Sequence, residues 1–241
     1  MKYFGLKDIF SFFTLLPFKG DLVKAADSIY LLPLISVLVG AIAGAVRYFG
    51  AKVFGSLAAS ALSVVSVYLI IGIVHLDGFS DFADSLFAKG GVEEKIKVLK
   101  DPHIGVAGAI FLYFLLSSMI AFSLKLNPSD YLESLAFFAA SDMTGRASII
   151  GSLLGKNYRE GLGRVFSERF KKSYVIYYLL VSLILLPIVR VYYLLNFLGL
   201  LIGYLFYRYS LRLYGSSNGD VIGASVEFSR AIAMMILCTA F

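Results

Sequence analysis

Tryptophan is absent from this sequence, cysteine occurs once, histidine twice, and only 16% of the 241 residues are charged. Each shortage excludes something. A lone Cys238 cannot form an intrachain disulfide, which rules out a disulfide-stapled secreted module, and in its apolar run it carries no redox signal. Soluble domains carry about 25% charge, so this chain has too little polar surface to cover a water-facing globule. What is present instead is 59% hydrophobic residues and a mean hydropathy of +0.82. This is the composition of a membrane protein and not of a disordered chain. The net charge of +6 does not by itself indicate a nucleic-acid partner, and none is expected.

Apolar runs of spanning length lie near 30 to 50, 57 to 75, 104 to 124, 131 to 154, 173 to 189, 191 to 209 and 221 to 241. They predict an all-α, polytopic membrane helix bundle of about seven transmembrane helices. A lipid-exposed barrel would instead alternate polar and apolar residues over about 10 positions. Residues 1–241 read as a single integral membrane domain without repeats, and Gly40, Ala41, Ala43 and Gly44 form a small-residue face suited to close helix contact. The stretch from Phe10 to Phe18 is too short to cross. No small-x-small cleavage site follows it, and Lys19, Asp21 and Lys24 do, so it reads as an interfacial or re-entrant helix rather than a signal peptide.

Basic residues orient the bundle, because Lys and Arg accumulate in short cytoplasmic loops. With the N-terminus cytoplasmic, the inside set is Lys2, Lys7, Lys19, Lys24, Lys89, Lys95, Lys97, Lys100, Lys156, Arg159, Arg164, Arg169, Lys171, Lys172, Arg208 and Arg212. The outside set is Arg47, Lys52, Lys125 and Arg190. This bias puts the polar connections near 76 to 103, 155 to 172 and 210 to 220 on one cytoplasmic face, as one shared active site requires.

The sharpest chemical signal is the run from His75 to Asp84. On a helix turning about 100° per residue, Asp77, Asp81 and Asp84 point in one direction. Three such carboxylates repel one another unless a cation holds them, and a hard ion such as Mg²⁺ suits oxygen ligands without nearby cysteine. The apolar Phe79, Phe82 and Ala83 between them suggest a partly enclosed site rather than a solvated face. His75 is either a base or supporting group beside Asp77, or a helix-end histidine bonded to a carbonyl. Asp101 either joins the metal shell or caps a helix with Pro102 in its first turn. The stretch Gly90 to Lys100 reads as an ordinary solvated helix.

Asp142 and Arg146, four residues apart inside an apolar run, either neutralise each other or serve function, with Arg146 a candidate anion ligand. Arg159 and Arg164 flank Gly161 and Gly163, a combination suited to phosphate contact as well as to positive-inside anchoring. Asn218 and Asp220 stand in a Gly-rich turn opening the last helix, where capping and ligand binding are both natural. Glu227, inside that helix, either pairs with Arg230 or reaches a polar cavity.

Taken together, these segments resemble the cobalamin synthase family. The family pattern H-L-D-G-L-A-D-T-x-D-G is similar to His75 to Asp84, R-D-S-R-I-G-x-x-G to Lys100 to Gly108, R-E-E-G-L-G to Arg159 to Gly163, and G-G-x-T-G-D-x-L-G-A to Gly215 to Ala224. Thr14 to Pro17 and Leu32 to Ala41 match more loosely. Departures fall at Leu15, Ser85, His103 and Asn218, where the pattern has Arg, Gly, Arg and Thr, and one acid is missing before Gly161. The resemblance implies a transferase that joins adenosylcobinamide-GDP to α-ribazole or α-ribazole 5′-phosphate and releases GMP, forming adenosylcobalamin or its phosphate. It implies an Mg²⁺ cofactor held by Asp77, Asp81 and Asp84, with Asp101 a further ligand. His75 joins those three as a catalytic candidate. Arg146, Arg159, Arg164, Asn218, Asp220 and Glu227 are the substrate-binding candidates. The enzyme is expected in the cell inner membrane with its site on the cytoplasmic face, and assembly into a homo-oligomer is open. Two other readings compete: a CDP-alcohol-phosphotransferase-like enzyme, whose D-G-x-x-A-R opening is incomplete here, and a cation or small-solute transporter.

Overall fold

The computed structural model describes residues 5–240, so Lys2 of the basic count and Phe241 of the last apolar run lie outside the described residues. The chain is helical, with no strand among the described residues: α1 Leu6–Phe13, α2 Leu22–Asp27, α3 Leu32–Phe54, α4 Ser56–Ile71, α5 Val74–Phe87, α6 Val92–Leu99, α7 Val106–Ser123, α8 Tyr131–Ser152, α9 Leu162–Arg169, α10 Ser173–Ile184, α11 Leu186–Val189, α12 Leu195–Tyr214 and α13 Gly219–Leu237.

Each of the seven apolar runs is helical over most of its length, but they are not equivalent. Ile29–Phe54, Val106–Ser123 and Leu186–Tyr214 are long and apolar enough to cross a membrane, and α4 with α5 makes a fourth only if the bent pair counts as one. The other runs fall short for physical reasons. α10 has 12 residues, about 18 Å at 1.5 Å per residue, against a hydrocarbon layer of about 30 Å. α8 and α13 carry Asp142, Arg146, Glu227 and Arg230, all buried in protein.

α8 is the axis of the bundle, and every residue from Ala136 to Ser152 on it is buried. It packs against α3, α12 and α13. Small residues set these distances: a Cβ on Gly40 would come 2.5 Å from the Ala139 Cβ, and one on Gly203 would collide with the Ser148 carbonyl. The small-residue face of α3 is therefore a helix-packing surface.

Two local breaks place the functional elements. Gly72 sits in the left-handed region at φ 79°, a conformation that favours glycine, and there the chain turns by 102° so that α5 leaves the line of α4. At the amino-terminal end, α1 covers Leu6–Phe13 and stops well before Phe18. Thr14 is extended, its hydroxyl donates back to the Phe10 carbonyl at 2.5 Å, and Pro17 disfavours helix just before it. Ile9 and Phe13 pack inward while Leu15 and Phe18 are exposed. The helix thus begins and ends earlier than the Phe10 to Phe18 run suggests.

Candidate active site

α5 lies across the start of α13. Gly78 permits this, because a Cβ there would come 2.8 Å from the Asp220 Cα and 2.9 Å from its carbonyl oxygen. The crossing brings Asp77 and Asp81 of α5 into the field of Asp220. Burial first, then the charges of Asp77, Asp220, Asp84 and Asp101, push the Asp81 carboxyl up to about 7. Asp220 is also raised, chiefly by burial and further by Asp77, while the Asn218 side-chain amide, donating to its Oδ2 at 2.7 Å, works against the rise. Asn218 also caps α13, accepting from the Val221 N–H at 3.1 Å. Both expectations for the Gly-rich turn therefore meet in one place: a cap, and an acid facing the α5 acids.

The three acids of α5 do not converge. Asp84 turns to the start of α7, where its two oxygens accept from the Gly105 N–H at 2.7 Å and the Gly108 N–H at 2.8 Å. Gly105 has no side chain with which to cap its own helix, so Asp84 satisfies N–H groups that would otherwise be orphaned. Among the described residues, no three His, Cys, Asp or Glu side chains form a metal-holding group. The gathered trio expected from helical spacing is not formed, and Asp81 instead feels the charges of Asp77, Asp220, Asp84 and Asp101 without a shared cluster.

Asp101 does not cap α7. That helix starts at Val106, not Pro102, and Asp101 is half exposed in the preceding loop. Its Oδ1 stands 2.8 Å from His103 Nδ1 and accepts from the His103 N–H at 3.0 Å. These contacts hold its carboxyl below the usual carboxylate range. Between α5, α6 and the start of α7 lies a cleft of about 540 Å³ that Asp84, Asp101 and His103 share with mostly apolar neighbours.

His75, two residues and about half a turn before Asp77, faces the other way. Its backbone lies against Gly223, and the charges acting on it include Arg230, Arg146 and Asp142. Those belong to a buried network. Asp142 accepts from Arg146 Nε at 2.6 Å, from Arg230 Nη2 at 2.8 Å and from the Ser36 hydroxyl at 2.8 Å. Glu227 pairs with Arg230 and accepts from the Tyr68 hydroxyl at 2.7 Å. Arg146 and Glu227 are at most 1% exposed, and both are members of interior ion pairs. Two terminal nitrogens of Arg146 make no hydrogen bond among the described residues.

The two expected phosphate arginines separate. Arg159 is a clasp: its Nε donates to the Ser216 hydroxyl at 2.6 Å, a terminal nitrogen donates to the Tyr214 carbonyl, and its N–H bonds the Ser217 carbonyl at 2.9 Å. The Ser217 N–H answers to the Asn157 carbonyl at 3.0 Å. The segment before α9 is thereby zipped to the loop that opens α13. Arg164 is exposed and paired with Glu168 at 2.7 Å, four residues on.

The family model described as cobalamin-5-phosphate synthase matches residues 5–238 of this sequence. The chain belongs to the cobalamin-5-phosphate synthase family. Three relatives, each named adenosylcobinamide-GDP ribazoletransferase, are similar along almost the whole chain. The protein of Thermococcus onnurineus is 31% identical over 239 residues, 98% of this chain and 97% of its own length. That of Pyrococcus abyssi is 32% identical over 236 residues, 96% of this chain and 97% of its own. That of Saccharolobus islandicus strain M.14.25 is 34% identical over 236 residues, 95% and 88% respectively. No solved structure matches. The family match favours this synthase reading over the CDP-alcohol phosphotransferase and transporter alternatives.

Several residues of this cobalamin-5-phosphate synthase family chain take part without a signal in the sequence pattern. Ser85, where the family pattern has glycine, makes a short side-chain contact with the Tyr214 hydroxyl. Lys95 caps the end of α5, its Nζ donating to the Ser85 and Ala88 carbonyls at 3.1 Å each and to Leu86 at 3.3 Å. Arg47, counted among outside basic residues, is instead buried in α3, donating to the Ser123 and Leu126 carbonyls at 3.2 Å each. The Gly105 and Gly108 spacing was the one available hint of a backbone site for Asp84.

Proposed function

We propose that this chain joins α-ribazole or its 5′-phosphate to adenosylcobinamide-GDP with release of GMP. The observation that carries the reading is the α5–α13 crossing, which sets Gly78 against the Asp220 backbone and leaves Asp81 under the charges of Asp77 and Asp220, in a chain of a family whose relatives bear that enzyme name. A ribose hydroxyl of the acceptor attacks the phosphorus joined to the cobinamide. The anhydride bond to GMP breaks, and the hydroxyl proton must leave.

Asp77 and Asp220 are the residues that would hold Mg²⁺, an ion usually bound through one or two carboxylates together with water and substrate phosphate. When bound, it neutralises charge on the anhydride oxygens. A carboxylate oxygen of Asp81 takes the proton, and a carboxyl held up to about 7 is matched to base catalysis near neutral pH. Asp84, expected with Asp77 and Asp81 as a principal ligand, and Asp101, expected as a further one, are engaged with Gly105, Gly108 and His103; Asp84 fixes the start of α7 beside the acids. Arg164 remains at the surface as an anion contact, and Arg159 holds the loop bearing Asn218 and Asp220; His75 lies with its backbone against Gly223.

The basic-residue bias supports a multi-pass protein of the cell inner membrane, with the N-terminus and this site on the cytoplasmic side. α8, α10 and α13 would complete a seven-helix membrane domain, α8 sheathed by its neighbours. Purified protein given both substrates and Mg²⁺ releases GMP if the reading is correct. Chelation with EDTA and the Asp81→Asn substitution each abolish release. Solute flux in sealed vesicles without GMP would overturn it in favour of a transporter.

A further inference from the structure

The outward face of α12 changes chemistry along its length. With a turn of about 100° per residue, Phe197, Leu201, Leu205, Arg208 and Arg212 fall on one side of the helix, and all are exposed, Leu201 and Leu205 at 53% each. Gly199, Gly203, Tyr207, Ser210 and Tyr214 fall on the other side and are buried. The helix belongs to the segment Leu186–Tyr214, long and apolar enough to cross a membrane. Its apolar stripe ends in two guanidinium groups one turn apart, about 6 Å along the axis.

These two arginines have no counter-charge in the fold. α12 contains no Asp or Glu, and among the described residues neither arginine forms an ion pair, whereas the exposed Arg164 and Arg169 are matched by Glu168 and Asp27. Arg208 is nevertheless held in place. It donates one N–H to the Tyr204 hydroxyl at 3.1 Å, and its guanidinium carbon stands 5.9 Å from that ring centre. Tyr204, Leu205, Arg208, Tyr209 and Arg212 line a hollow of about 420 Å³, within the range of about 300–1,000 Å³ for small-ligand sites.

We propose that this hollow binds the phosphodiester headgroup of an anionic phospholipid, with an acyl chain lying along Leu205 and Leu201. The charge is complementary, because the nonbridging phosphate oxygens match the planar forks of Arg208 and Arg212. Tyr204 and Tyr209 fit the same level, since rings with a polar tip gather where headgroups meet hydrocarbon. Basic hollows on membrane helices hold acidic headgroups in this way. A zwitterionic lipid brings a cation that the arginines oppose, and a soluble phosphate makes no use of the leucines beside them. The site is separate from the acids of the α5–α13 crossing: Tyr214, which joins α12 to α5 through Ser85, points the other way. It does not depend on the reaction proposed above.

Delipidated protein in detergent, titrated with a fluorescent phosphatidylglycerol and followed by anisotropy, tests this. Unlabelled phosphatidylglycerol should displace the probe at about tenfold lower concentration than phosphatidylcholine, and glycerol 3-phosphate should not displace it. In Arg208→Gln/Arg212→Gln the advantage of phosphatidylglycerol should shrink to within about twofold. Lys171→Gln/Lys172→Gln, which removes the same charge just before α10, should keep it. Equal displacement by the two lipids in the unaltered protein, displacement by glycerol 3-phosphate, or an equal loss in the lysine variant overturns the site. Arg212→Gln alone, which keeps the contact between Arg208 and Tyr204, serves where the double variant folds poorly. It should cut the advantage to about threefold, and an undiminished advantage refutes the assignment.

Discussion

Asp142 on α8 and Arg230 on α13 meet at 2.8 Å in the interior, each also paired with a residue of its own helix, Arg146 and Glu227 respectively. Removing one member strands buried charge, which typically costs about 3–5 kcal/mol. Asp142→Ala is therefore expected to lower the thermal unfolding midpoint in detergent sharply. The same substitution should leave α5 in place, so residual GMP release tracks the folded fraction. Thermal scans run beside activity assays check both.

Asp81 predicts opposite pH trends for stability and activity. Its folded-state carboxyl stands at about 7, above the ordinary carboxylate value of about 4. The stability tied to this group is thus full at low pH and is lost as pH rises from about 4 through about 7. Asp81→Asn removes that loss, so without divalent ions the variant should gain on the unaltered protein over this interval. Activity runs the other way: GMP release by the unaltered protein should fall as pH drops below about 7, and Asp81→Asn should cost about 100-fold or more.

Asp84 acts through α7. A Cβ at Gly108 would run into both the Asp84 carboxylate and the Ser80 hydroxyl, so Gly108→Ala should displace the acid and loosen the start of α7. Asp84→Ala removes the acceptor for two N–H groups and is expected to cost about 1–2 kcal/mol. Hydrogen exchange at the Gly105 and Gly108 amides reads this directly; unchanged protection in Asp84→Ala would refute the role.

Arg159 and Arg164 should behave differently although both are basic loop residues. Arg159→Ala opens the clasp between the 157–159 and 215–217 segments, so the Ser217 amide should exchange faster and proteolysis should find the segment before α9. Arg164→Ala breaks only an exposed pair with Glu168, worth about 0–1 kcal/mol, and should leave the thermal midpoint nearly unchanged. As a proposed anion contact, Arg164 should show itself in the donor KM instead.

Much of this architecture is legible in the sequence. Apolar runs mark the positions of the long helices, the Gly90 to Lys100 stretch that holds α6 reads as a solvated helix, and the Asp142–Arg146 spacing offers an ion pair as one of its two readings. Three of the acids that approach one another, Asp77, Asp81 and Asp220, are named by their motifs. What helical periodicity cannot supply is the partner from another element. Asp84 shares a face with Asp77 and Asp81, yet the unsatisfied amides of α7 draw it elsewhere. Arg230 reaches Asp142 across 88 positions, so only its local pairing with Glu227 is visible in the sequence, and Arg159 bonds a loop more than 50 positions away, so it reads locally as a free cation. The number of crossing helices is obscured for a related reason: α8 meets protein on all sides and needs no uniform apolar surface.

The pairing of charges within α8 and within α13 bears on how the chain enters a bilayer. Asp142 with Arg146, and Glu227 with Arg230, neutralise the charges buried midway along each helix before the two helices meet, while Glu133 and Asp220 lie in the first turns. Isolated ions at the centre of an inserting segment cost about 2.5–3.5 kcal/mol each on insertion scales, and a neutral couple on one helix lessens that burden during synthesis. The contact between Asp142 and Arg230 then forms only after α13, made after α8, has arrived. Assembly is thus a sequence of self-compensated insertions followed by lateral locking, with α13 closing against α8.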